Sequence, residues 1–272
     1  MNKKVLITGT SSGIGLACVE QFVGAGFQVT ATVRKPEDEE RLKKRFSGIT
    51  VLLLDLNDEK LIDDVVGGHL EKIGGVDVVV NNAGFACTGA VEELSMSQWR
   101  AQMETNFFAV VNICRLTIPY MRNKGNGRII QVSSGVGQSV MPTFAPYCTS
   151  KHALEAFSEA LRFEVSQFGI DVSLVAPGPV KSNFDKNREI PTISAVEASP
   201  YKDTIEHIQK STAEVHKRES KAEDVVKKIM HVATARRTRF RYSVGPLGFA
   251  ATLAKFVPSP IMGWALKPKF VK

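Results

Sequence analysis

The stretch Val5-Leu6-Ile7-Thr8-Gly9-Thr10-Ser11-Ser12-Gly13-Ile14-Gly15 decides how the rest of the chain is read. A short apolar run enters a turn that contains Gly9, Gly13 and Gly15, and a helical pattern covers Ile14 to Ala25. Glycine permits a tight turn and lets backbone N–H groups come close to a pyrophosphate, whose charge is favoured at a helix N-terminus. Glycines alone would equally mark an ordinary strand-to-helix turn. The remainder of the chain separates the two readings.

Outward from that stretch, short runs rich in Val, Ile and Leu recur at Val29 to Val33, Val51 to Leu54, Val76 to Val80, Ile129 to Val132 and Val172 to Val175, with a seventh near Phe240 to Val244. Each is almost continuously apolar, the pattern of a parallel strand covered by helices on both faces. Helical spacing fills the intervals, notably at Glu59 to Lys72, Ser97 to Arg122, Tyr147 to Phe168 and Ala222 to Ala233. Strand followed by helix, repeated, predicts an α/β fold: one doubly wound Rossmann domain over residues 1–272, with a mainly parallel sheet of about seven strands. No internal repeat, low-complexity tract or linker argues for a second domain. In that setting the turn becomes a dinucleotide cradle, with Gly9, Thr10, Ser11, Ser12, Gly13, Ile14 and Gly15 as candidate contacts.

Composition agrees with a folded globular chain, since 43% of its 272 residues are hydrophobic and 23% charged. Cys18, Cys87, Cys114 and Cys148 are scattered without a C-x-x-C pair, which fits reduced packing thiols and neither a disulfide framework nor a metal site. The apolar strand near Met1 is not preceded by a charged leader, so a cytoplasmic protein is expected. The net charge of +7 is uneven. Residues 225 to 272 hold ten Lys or Arg and no Asp or Glu, which leaves the remainder at −3.

Ligands of doubly wound sheets bind beyond the carboxyl ends of the strands, so the residues there are the informative ones. After the second strand stands Arg34, where many NAD-binding sheets place an acid for the ribose 2′-hydroxyl; the first acid here is Glu37. The planar fork of Arg34 suits a 2′-phosphate, so NADP(H) is preferred and NAD(H) is the alternative. The third strand ends in Asp55-Leu56, suited to the adenine, and the fourth in Asn81-Asn82-Ala83-Gly84, suited to a ribose. Asx-rich turns are common at strand ends, so either alone says little.

After the fifth strand come Ser133 and Ser134, then Tyr147 and, four residues later, Lys151. At i and i+4 the phenol and the ammonium share a helix face, and the ammonium brings the phenol closer to working pH as an acid or base. In isolation they would be read as a surface Tyr and a solvated Lys.

Taken together, the glycine turn, Asn81-Asn82-Ala83-Gly84 and Tyr147-x-x-x-Lys151 resemble the short-chain dehydrogenase/reductase family over roughly residues 3 to 184. The resemblance implies a catalytic group of Asn106 (in Thr105-Asn106-Phe107), Ser134, Tyr147 and Lys151. It further implies that Pro177, Gly178, Val180 and Ser182 lie beside the nicotinamide, with Ser182 where the family often has Thr, and that Tyr147 and Lys151 also touch the cofactor. In carbonyl reduction Ser134 would bond the substrate oxygen, Tyr147 would protonate it, Lys151 would lower the Tyr147 pKa and hold the ribose, and Asn106 would anchor a relay water.

The substrate is less legible. Residues 185–220 fall where the family carries a variable substrate-covering segment, and Met141 and Phe144 are candidate pocket residues. The tone of Ala31-Thr32-Val33-Arg34, Tyr147-Cys148-Thr149-Ser150-Lys151 and Pro177-Gly178-Pro179-Val180 is similar to the hydroxysteroid and retinol dehydrogenase branch, which implies a lipophilic ketone, aldehyde or alcohol. The basic, apolar tail at 245–272 either folds over the pocket or a subunit interface, or makes weak contact with a membrane surface. Its prolines and glycines argue against a spanning helix. No nucleic-acid motif accompanies the charge. The resemblance implies a homodimer or homotetramer packed through helices near 97–122 and 147–168. Competing readings are a 3-oxoacyl-thioester reductase, a non-catalytic NADPH sensor and a peripheral membrane protein.

Overall fold

A computed structural model describes residues 2–181, 193–216, 219–254, 257–258 and 260–261. Among the described residues seven strands form one sheet: β1 (Lys4–Ile7), β2 (Gln28–Val33), β3 (Thr50–Leu53), β4 (Val78–Asn81), β5 (Gly127–Val132), β6 (Ile170–Pro177) and β7 (Arg241–Val244). Their order is β3-β2-β1-β4-β5-β6-β7, and all neighbours are parallel. The chain winds outward from β1 in both directions, so the switch point lies between β1 and β4, with the carboxyl ends of all seven strands on one side.

The helices are α1 (Gly13–Gly24), α2 (Pro36–Arg45), α3 (Glu59–Ile62), α4 (Gly68–Ile73), α5 (Met96–Met103), α6 (Ala109–Lys124), α7 (Ala145–Val165), α8 (Ile193–Ala198), α9 (Lys202–His216), α10 (Ala222–Thr234) and α11 (Gly245–Ala254). π turns at Asp63–Gly67 and Glu104–Phe108 join α3 to α4 and α5 to α6. The apolar strands serve two cores, one per sheet face. Val5, Ile7 and Val80 meet Phe22, Val226 and Ile229 of α1 and α10 on one face. Leu6, Val79 and Ile129 meet Leu70, Ile113 and Leu154 of α4, α6 and α7 on the other. Each fully buried side chain of this size contributes roughly 1.5–3 kcal/mol, so near-continuous apolar strands are what this double cover requires.

Helix α2 is absent from the hydrophobic pattern because Leu42 is its sole buried residue. What makes it helical is charge and φ: Pro36 opens it, Glu37, Asp38 and Glu39 occupy the first turn, and Lys43, Lys44 and Arg45 the last, complementing the helix dipole. The polar segment 185–220 contains α8 and α9, and the tail begins with α11. All four cysteines are buried, and none of them is in a disulfide. No helix among the described residues is long and apolar enough to cross a membrane.

Candidate active site

The glycine turn is shaped by excluded volume. Gly9 has φ +67°, and a Cβ there would lie 2.7 Å from the Ala83 Cα, while a Cβ on Gly15 would collide with the Gly9 carbonyl oxygen. The Asn82 amide donates to the carbonyls of Thr8 and Gly9, both at 3.0 Å, and the Thr8 hydroxyl oxygen accepts from the N–H groups of Asn82 and Ala83. Thr10 is buried, its hydroxyl donating to the Thr32 carbonyl at 2.9 Å. Thr10, Asn82 and Ala83, read as cofactor contacts, thus have structural work in fixing the turn. Thr8 joins them, a role that only its tertiary partners reveal.

Ser11, Ser12, Gly13 and Ile14 remain half-buried at the mouth of that turn. Ser12 caps α1 without a side-chain hydrogen bond, and the first turn of α1 carries no acid. A helix N-terminus without a side-chain cap or a repelling carboxylate fits the pyrophosphate of a dinucleotide. Arg34 is exposed directly after β2. On α2, Arg41 bonds the Ser11 carbonyl at 2.5 Å and Asp38 at 2.7 Å. This second guanidinium at the turn escapes notice when α2 does. Asp55 is half-buried, one carboxylate oxygen accepting from the Asn57 N–H at 3.0 Å, and Leu56 packs on the second core.

On the other side of the switch point, α7 presents Tyr147 and Lys151 one turn apart, both buried. The Lys151 Nζ lies 5.9 Å from the Tyr147 ring centroid and donates to the Val132 carbonyl at 3.0 Å. Burial pulls the Lys151 pKa down to about 8, because the charged form loses hydration. Ser134 caps the 3₁₀ turn Gly135–Gly137, its hydroxyl oxygen accepting from the Val136 N–H at 3.4 Å.

Asn106 sits in the π turn Glu104–Phe108, a distortion frequent at functional sites. Its Oδ1 accepts from the Phe85 N–H at 3.1 Å, and its Nδ2 donates to the Phe85 carbonyl at 3.0 Å and the Ser150 hydroxyl at 3.1 Å. Ser150 in turn donates to the Tyr147 carbonyl. The side chain of Asn106 therefore ties the loop after β4 to the first turn of α7. Gly84 closes the gap: a Cβ there would sit 3.0 Å from the Asn106 Oδ1 and 3.7 Å from the Lys151 Nζ.

An apolar wall adjoins Tyr147. Phe144, Tyr147 and Cys148 cluster with Ala86 and with Ile208 of α9, and Val136 and Met141 pack against them. Pro177 ends β6, the Gly178 N–H donates to the Val244 carbonyl at 3.0 Å, and Val180 bridges to Ser220. Helix α11 lies over both loops, since a Cβ on Gly135 would be 3.1 Å from the Ala251 Cβ and one on Gly178 would be 3.0 Å from the Gly248 nitrogen. The expectation for Ser182 falls outside the described residues.

A nicotinamide-dependent oxidoreductase is the class that such a switch-point crevice, glycine cradle and buried Tyr and Lys define. A family model for the short chain dehydrogenases matches residues 3–191. The chain is 35% identical over 261 residues to the oxidoreductase YusZ of Bacillus subtilis, covering 90% of each. It is 32% identical over 265 residues to a 3-ketodihydrosphingosine reductase of Bacteroides thetaiotaomicron, covering 97% of this chain and 96% of that one. Among solved structures it is similar to a short-chain dehydrogenase from Streptomyces avermitilis, with TM-score 0.82, 27% identity and coverage of 98% and 97%. It is also similar to ElxO with NADP bound, with TM-score 0.74, 25% identity and coverage of 92% and 100%. The chain belongs to the short-chain dehydrogenase/reductase family and is an NAD(P)-using oxidoreductase.

Proposed function

We propose that this protein interconverts a ketone or aldehyde and its alcohol on a lipophilic molecule, a steroid, retinoid or similar lipid, with NADP(H). The observation that carries the substrate class is the apolar wall of Phe144, Met141, Cys148 and Ile208 beside Tyr147. A mostly apolar cleft with a few convergent polar groups selects an apolar body and orients one polar group on it. The similarity to a 3-ketodihydrosphingosine reductase supports a lipid ketone. Arg34, directly after β2 where many NAD-binding sheets place an acid, supports NADPH over NADH, and Arg41 of α2 adds a second guanidinium at the Ser11 carbonyl.

The nicotinamide, when bound, supplies the hydride to the carbonyl carbon. Ser134 donates a hydrogen bond to the carbonyl oxygen as its negative charge develops, and Tyr147 releases its phenolic proton to that oxygen. The Lys151 ammonium stabilises the phenolate left behind, and oxidation takes the same path with Tyr147 as base. Asn106 keeps the loop after β4 in register with α7 and anchors a relay water. Gly9 to Gly15, Asp55, Leu56, Gly84, Pro177, Gly178, Val180 and Ser182 form the cofactor's surroundings.

In this reading α9 covers the substrate, and the protein works in the cytoplasm as a homodimer or homotetramer. Exposed Phe108, at the head of α6, and Phe163, on α7, support pairing through those helices.

The test is NADPH oxidation against steroid ketones, retinals, phenanthrenequinone, 3-ketodihydrosphingosine and 3-oxoacyl thioesters. Turnover on lipophilic ketones is expected. Faster turnover on the thioesters would replace the reading with a 3-oxoacyl reductase, and tight NADPH binding with no turnover would replace it with a sensor.

A further inference from the structure

One turn beyond Lys151 on the same face of α7 is Glu155, a nearly buried carboxylate to which carbonyl reduction gives no role. Its Oε1 accepts from the Ser133 hydroxyl at 2.5 Å. Its Oε2 is paired with the Arg241 guanidinium of β7. With its amide oxygen turned toward β7, Gln138 accepts from the Nε and Nη2 of Arg241 at 3.2 and 3.1 Å. Three segments distant in sequence, the end of β5, α7 and the edge strand β7, are thereby joined through one carboxylate.

The position of that junction matters more than its strength. Lys151 fastens α7 to the Val132 carbonyl and Glu155 fastens it to the next residue, Ser133. Ser134 is the residue after that. The turn that Ser134 caps lies against the same carboxylate, since a Cβ on Gly137 would be 2.9 Å from the Ser133 Oγ and 3.0 Å from the Glu155 Cγ. Burial lowers the Arg241 pKa to about 10, which leaves it charged at neutral pH and in need of its partner.

We infer that Glu155, held by Arg241, is a positioning residue that sets the Ser134 hydroxyl against Tyr147 through Ser133. The inference rests on the assignment of Ser134 as the group that bonds the substrate oxygen. A hydroxyl donor displaced by even a fraction of an ångström loses much of its effect on developing charge, so loosening this junction acts on kcat. NADPH binding on the far side of the crevice is left as it was.

The experiment is a double-mutant cycle on the full-length protein, with phenanthrenequinone as the probe. Ser133→Ala removes the hydrogen bond but keeps the ion pair, so it retains the fold even if Glu155→Gln does not. In the otherwise native protein Ser133→Ala is expected to lower kcat about tenfold with NADPH affinity unchanged, and Ser133→Thr, which keeps the hydroxyl, restores it. In a Ser134→Ala background the same Ser133→Ala change is expected to cost less than about twofold, because the group it positions is gone. Equal losses in both backgrounds would show a role in the fold alone and overturn the inference. Undiminished turnover by Ser134→Ala itself would instead remove the assignment on which the inference stands.

Discussion

The two sides of the crevice are built on opposite plans. On the β1–β4 side, shape comes from backbone and from missing side chains: Gly9 and Gly15 leave no room for a Cβ, and the polar groups of Asn82, Thr8 and Thr10 are bonded to nearby backbone. On the β5–α7 side, shape is supplied by side chains, and a buried ammonium is held at Lys151 with its pKa pulled to about 8. On this account added volume is expected to be most damaging at Gly9 and Gly15 on the first side, and lost charge most damaging at Lys151 on the second. Binding a constant dinucleotide needs a fixed cradle, whereas moving a proton needs a group kept away from its most comfortable state.

The largest way to break the contrast is Lys151→Met, which keeps volume and removes charge. We expect kcat to fall about 10²–10³-fold, measured by NADPH oxidation. The sign of its effect on stability is the opposite. Because Lys151 titrates near 8 when folded and at its usual 10.5 when unfolded, the unfolded chain binds more protons between those values. The native protein therefore gains stability as pH rises from about 8 to about 10.5 and bears the full cost of the buried charge below that window. Denaturant titrations of the cofactor-free protein across this range should show the gain in the native protein and its absence in Lys151→Met. A lower stability of the variant at pH 7 would contradict this sign. Reductase activity of the native protein should decline as pH rises through about 8, where Lys151 loses its proton.

On the cradle side the matching change adds volume without charge. Gly15→Ala forces a methyl group onto the Gly9 carbonyl and should cost about 1–3 kcal/mol in thermal unfolding. Its NADPH affinity falls with it, and an unshifted melting temperature would show that the turn gives way. Smaller still is Arg34→Asp, expected to move the NADPH to NADH preference by about tenfold, or about 1.4 kcal/mol, with little change in stability. Unaltered selectivity would shift the 2′-phosphate role to Arg41.

Legibility in the sequence depends on the range of the interactions. Parallel strands buried on both faces announce themselves as apolar runs, and Tyr147 and Lys151 are neighbours at i and i+4. Helix α2 does not, because Leu42 alone is buried on it and its charges carry the signal instead. Arg41 is hidden with it. The ties from Thr8 to Asn82 and from Ser133 to Glu155 span 74 and 22 positions and leave no local pattern. The same holds for Ile208, which reaches the Phe144 cluster from a segment that reads as merely polar.

The central claim is that Tyr147 supplies the proton and that its hydroxyl is not needed to hold the cofactor, and Tyr147→Phe tests it most directly. NADPH binding by fluorescence titration and single-turnover reduction of phenanthrenequinone should be measured on the same preparation. The expected result is an NADPH affinity within about twofold of the native protein and turnover reduced by about 10³-fold or more. Native-like turnover, or loss of NADPH binding in step with activity, would contradict the claim.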